Sequence, residues 1–148
     1  MHRSILSGSR SKLFFSSKGH DVPGLYSVLI GLGLLPFSKI HTLRRLGGLP
    51  GHPDVSTPYI NVNSGSLGMG ISKAKGIIQA DRLDDRHRHI FVMTGDGELQ
   101  EGQIWESLQG AANARMSELT VIVDQNKIQS DHWVNDTSPL GDIEARFK

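Results

Sequence analysis

Two short apolar runs stand out along the chain, Ile90-Phe91-Val92-Met93 and Leu119-Thr120-Val121-Ile122-Val123. Runs of this kind predict strands buried on both faces of a parallel sheet, because a half-exposed strand would alternate apolar with polar residues. Gly102 to Met116, between them, predicts a helix, so strand, glycine turn, helix and strand make a βαβ unit with a right-handed crossover. Upstream, Leu67 to Leu83 predicts another helix, with the small residues Gly68, Gly70, Ala74 and Gly76 on its faces. The charged run from Asp81 to His89 reads as a solvated connection. Pro23, followed by Gly24 to Ile30, predicts a largely buried helix with proline in its first turn. Ser38 to Leu46 predicts a shorter helix, stopped by Gly47-Gly48, and Lys12 to Phe15 a short strand. Gly47 to Gly65 is rich in Gly, Pro, Asp, Ser and Asn and predicts a loop. A loop that long in a compact domain is typically functional or disordered. The fold class is therefore α/β, a parallel sheet flanked by helices. Ligands of such sheets collect beyond the carboxyl ends of the strands.

Composition narrows the range of functions. With 148 residues the chain has the size of a single domain, large enough for a real core. A formal net charge of +1 offers no field to gather nucleic acid or an anionic membrane, so neither is an expected partner. Cysteine is absent, which excludes disulfides and thiolate metal sites. No apolar run approaches the roughly 20 residues that span a bilayer. A soluble, cytoplasmic chain is expected. There is no internal repeat, heptad pattern or low-complexity tract.

Candidate chemistry sits where the two strands end. Gly95-Asp96-Gly97 follows the first directly, and Asp124-Gln125-Asn126 follows the second; if the strands are neighbours, both loops face one crevice. Asp96 and Asn126 would then offer two hard oxygen ligands to magnesium, which takes one or two side-chain oxygens and completes its shell with phosphate or water. One carboxylate and one neutral amide leave such a site net positive, able to attract a diphosphate. Gly95 and Gly97 allow close backbone approach, and the following helix presents amide donors to an anion. A lone Gly-Asp-Gly is more often a plain turn. Its setting between a buried strand and a helix, with Glu98-Leu99-Gln100-Glu101-Gly102, Trp105-Glu106 and Asn126 following, makes it far more specific.

That pattern resembles the thiamine-diphosphate signature, and its Glu-Leu-Gln-Glu-Gly extension resembles the transketolase family in particular. Three more segments are similar to transketolase motifs in the same order: Ser17-Lys18-Gly19-His20, Gly51-His52-Pro53-Asp54 and Gly65-Ser66-Leu67-Gly68-Met69-Gly70. The resemblance covers about Lys12 to the last residue. The first twenty residues carry Arg3, Arg10, Lys12 and Lys18, several serines and no acid, a composition shared with organellar transit peptides. Because the resemblance places Ser17 to His20 inside the domain, an ordinary chain start is expected instead.

The resemblance implies roles residue by residue. Asp96 and Asn126 would hold Mg2+ (or Ca2+) by side-chain oxygens, and Ile128 by its backbone carbonyl, its side chain being free to be core. Gly95 and Gly97 would lie along the diphosphate of thiamine diphosphate. Gly65 and Leu67 would meet the cofactor's rings through backbone groups, although a helix start packed closely on a strand explains the same glycines. His20 would approach the diphosphate or the reacting centre and His52 the donor hydroxyls, both as catalytic hydrogen-bond donors or proton shuttles. Glu101 resembles an acid at the subunit interface; a first-turn glutamate favoured by the helix dipole is the plainer account. Trp105 reads as core or interface packing.

The implied activity is transfer of a two-carbon ketol unit from a ketose or ketose phosphate to an aldose. The family's activating glutamate belongs to a pyrimidine-binding domain or subunit with no counterpart here. The sequence ends within a predicted helix, at Arg146-Phe147-Lys148. The expectation is thus a single, partial domain over 1–148: a fragment, an incomplete gene, or one subunit of a two-chain enzyme. It would form a homodimer or heterotetramer and be inactive alone. The rival readings are a deoxyxylulose-phosphate synthase, a 2-oxoacid dehydrogenase of the alpha type, or a non-catalytic dimerising remnant.

Overall fold

Parallel pairing joins β1 (Lys12–Ser16), β2 (His89–Gly95) and β3 (Leu119–Asp124) in the order β1-β2-β3. These are features of a computed structural model, which describes residues 11–148. Arg3 and Arg10, on which the transit-peptide reading rested, lie outside the described residues. Lys12 pairs with His89 at one end of the sheet, and Gly95 with Asp124 at the other. The main helices are α1 (Val22–Gly31), α2 (Gly70–Leu83) and α3 (Gly102–Asn113). A small antiparallel pair, β4 (Ile128–Gln129) and β5 (His132–Trp133), and two one-turn helices, α4 (Val134–Thr137) and α5 (Ile143–Arg146), complete the chain. Among the described residues no helix is long and apolar enough to cross a membrane.

The core forms where apolar periods meet. Leu13 and Phe15 of β1 and Ile90 and Val92 of β2 pack against Ala74 and Ile78 of α2 and Ala111 at the end of α3. A second cluster joins Ile71, Leu99, Ile104, Val134 and Leu140, with Val121 and Val123 of β3 packed against it. The third gathers Val22, Tyr26 and Leu29 of α1 with Leu35, Leu49 and Ile60 from the long crossover. The predicted βαβ unit is β2-α3-β3, with adjacent parallel strands.

Several expectations need correction. α1 is buried along one face only: Val22, Tyr26 and Leu29 fall at helical spacing, while Pro23, Ser27 and Val28 are exposed. β3 is partly exposed along its length, with Ile122 41% exposed, because it forms the outer edge of this three-stranded sheet. The helix expected from Ser38 is a 3-10 turn over Phe37–His41. Beyond it, backbone hydrogen bonds from Arg44 to Leu49 (2.8 Å) and from Leu49 to Thr42 (3.1 Å) fold the chain back on itself. The helix expected from Leu67 begins at Gly70, since Gly65 (φ +135°) and Gly68 (φ +82°) are not helical. Within the charged run, Asp81 is buried, held by two hydrogen bonds from Arg88 (2.7 and 2.8 Å) and by Arg86 at 3.4 Å. A carboxylate at that depth requires such pairing, so the run anchors the end of α2 as well as meeting solvent.

Candidate functional site

The Asp96 turn is built by the sheet's own register. Gly95 pairs with Asp124, and the next amide, that of Asp96, donates to the Asp124 carbonyl at 3.1 Å. The carboxylate of Asp96 caps the 3-10 turn Gly97–Gln100: Oδ1 accepts from the Gly97 amide at 2.8 Å. Oδ2 accepts from the Lys127 amide at 2.6 Å. This second bond crosses from one strand end to the next and ties the two loops together. Lys127 sits at φ +67°, the left-handed bend that aims its amide at Asp96. Asn126 holds its own turn, its Oδ1 accepting from the Ile128 amide at 2.9 Å. At Gly97 a Cβ would stand 2.8 Å from both Cβ and Oε1 of Gln129, so only glycine lets that side chain lie against the turn.

These loops open on a cavity of about 640 Å³. Asp96, Asn126 and Ile128 line it, as do Gly95 and Gly97. His20, Leu67 and Glu101 stand on its other sides. The Ile128 side chain is about half-exposed, which excludes the core role considered for it. Gly65 and His52 are not among the lining residues. They pack on each other: a Cβ on Gly19 would collide with the His52 ring and one on Gly65 would meet it at 3.3 Å. Tyr26 donates to the His52 carbonyl at 3.5 Å, the long limit of a hydrogen bond, and burial pushes its phenol pKa up. His52 therefore packs against the backbone of Gly19 and Gly65, next to the His20 segment, while remaining exposed.

Five lining residues escaped the sequence reading as site candidates: Lys18, Glu98, Gln100, Gln129 and Ser130. Lys18 is buried, with Nζ 2.7 Å from Asp124 Oδ2 and 3.9 Å from Asp21 Oδ2. A Cβ on Gly95 would stand 3.0 Å from Lys18 Cδ, so the glycine also makes room for this stem. Lys18 lies inside the same Ser-Lys-Gly-His segment that drew attention to His20, and its charge was the available signal.

The donor chemistry fits a hard cation carrying a polyanion. Each Asp96 oxygen spends one lone pair on an amide and keeps another, Asn126 keeps capacity at Oδ1, and the Ile128 carbonyl belongs to the same loop. Among the described residues no group of three or more His, Cys, Asp or Glu could hold a metal, and a one-carboxylate set that leaves room for phosphate oxygens would not form one. Lys18 adds a cation to the wall.

A family model described as "Transketolase, thiamine diphosphate binding domain" matches residues 9–148. The 6-deoxy-6-sulfo-D-fructose transketolase subunit SqwG of Clostridium sp. is 39% identical over 134 residues, covering 89% of this chain and 49% of that protein. An apulose-4-phosphate transketolase subunit of Actinobacillus succinogenes is 38% identical over 133 residues, covering 86% and 48%. Among solved structures, transketolase from Leishmania mexicana superposes with a TM-score of 0.81 at 29% identity, covering 90% of this chain and 22% of that one. The chain spans about half the length of the curated subunits it matches.

Proposed function

This chain belongs to the transketolase family, matching its thiamine-diphosphate-binding domain over residues 9–148, and from that premise we propose that it holds the magnesium-diphosphate end of the cofactor in an enzyme of ketol transfer. The observation that carries the reading is the meeting of Asp96 with the Asn126–Ile128 loop across adjacent strand ends, beside Lys18. Asp96 and Asn126 would hold Mg2+ (or Ca2+) by side-chain oxygens and Ile128 by its carbonyl. Gly97 would lie along the phosphate by its backbone, and Lys18, paired with Asp124, would bring a cation near it. Gly65 and Leu67 would guide the rings by backbone groups.

When bound, the cofactor supplies a carbon nucleophile for breaking and making bonds next to a carbonyl. This chain's residues orient and protonate around it. His20 faces the cavity and would donate hydrogen bonds or relay protons there, with His52 steadying its segment or reaching the donor's hydroxyls once substrate is bound. Glu101, exposed at the rim, would meet a partner subunit. The substrate class is a ketose bearing an anionic group. Two relatives support this by name, one for a sugar sulfonate and one for a sugar phosphate. Ring activation would come from a pyrimidine-binding domain or subunit, in a homodimer or heterotetramer; relatives named as subunits support such a division.

The test is Asp96→Ala. It should abolish magnesium-dependent thiamine diphosphate binding, followed by calorimetric titration with and without chelator. Undiminished binding would overturn the assignment.

A further inference from the structure

Glu98 opens the Glu-Leu-Gln-Glu-Gly stretch, is 2% exposed, and has no role in the function above. Its oxygens reach three separate segments. Oε1 accepts from the hydroxyl of Ser17, at the end of β1, and from the Gly68 amide at 2.8 Å. Oε2 accepts from the Gly95 amide, at the end of β2, at 3.3 Å. Ser17 Oγ in turn accepts from the Gly70 amide at 3.1 Å, and Gly70 lies so close that a Cβ there would collide with Ser17. Among the described residues no cation pairs with Glu98, so neutral donors alone hold it. A buried carboxylate costs several kcal/mol unless its oxygens are satisfied, and here the Ser17 hydroxyl and the Gly68 and Gly95 amides satisfy them.

These contacts account for a glutamate here. Gly68 follows Leu67 on one wall of the cavity, and Gly95 opens the turn on another. Gly68 holds φ +82°, a conformation open to glycine, and its amide is fixed there by Glu98 Oε1. We propose that Glu98 is a positioning residue of the cofactor site, setting the spacing between the ring-side backbone at Leu67–Gly68 and the diphosphate-side turn at Gly95–Gly97. The proposal rests on the function above.

Glu98→Gln keeps the shape but replaces one acceptor with a donor facing N–H or O–H groups. With magnesium present, the affinity of the full chain for thiamine diphosphate should fall about tenfold. Inorganic diphosphate, which uses one end of the site, should bind within about twofold of the original affinity. Equal weakening of both ligands means a merely structural role and overturns the proposal, as does unchanged affinity for both. If neither ligand binds the unaltered chain, the cofactor reading fails, and amide exchange at Gly68 without ligand decides the cross-link separately: equal protection in both forms overturns it. Should Glu98→Gln fail to fold, Ser17→Ala removes one arm of the same knot and is measured in the same way.

Discussion

An added methyl group at Gly19 would collide with the His52 imidazole and stand 2.5 Å from the Cα of Gly65. One obstacle is backbone, so no side-chain rotation relieves it. Gly19→Ala should destabilise the chain by about 1–3 kcal/mol, seen as a lower denaturation midpoint at unchanged slope. The same contact shows what the sequence could and could not disclose. Asp96 and Asn126 were legible because each follows a recognisable strand, but that both face one crevice depended on the strands being neighbours, which the pairing of β2 with β3 supplies. His52 was legible as a motif, but its place against Gly19 depends on the path of a long loop. Lys18 pairs with Asp124 from 106 residues away, and Glu98 with Ser17 from 81. No period or spacing encodes such meetings.

Elements fared similarly. The apolar run of β3 revealed a strand but not its position at an edge, since strand order is a matter of distant partners. The start of β3 offers a test of how the layers are fastened. Arg82, in the last turn of α2, donates to both oxygens of Glu118, at 2.8 and 2.7 Å, and to the carbonyls of Ala114 and Arg115. The hydrogen bond from Arg82 holds the Glu118 carboxyl below the usual glutamate range. A depressed folded pKa contributes stability that is complete above the unfolded value, about 4.3, and is lost as pH falls through the lower folded one. Glu118→Gln should therefore melt below the unaltered protein near neutral pH, with the gap closing on acidification. A gap that persists at about pH 2–3 would show that the carboxylate charge is not what fastens α2 to β3.

For the whole molecule, the division of labour is the central prediction. The 148-residue chain should show no ketol transfer by itself, and activity should appear on adding a pyrimidine-binding subunit from a two-chain relative. Turnover by the purified chain, measured with a ketose phosphate donor and an aldose acceptor, would refute the split. Assembly of the fold carries its own consequence. β2, α3 and β3 are consecutive, whereas β1 must find β2 across the whole stretch from Ser17 to Arg88. Contacts between distant residues form late because loop closure costs entropy before it is rewarded. Ser17, Lys18 and Gly68 all belong to that stretch, so the cofactor cradle should be the last part to consolidate. In a refolding experiment, thiamine diphosphate with magnesium should slow unfolding and leave the folding rate nearly unchanged. A cofactor-accelerated folding limb would mean that the cradle belongs to the nucleus instead.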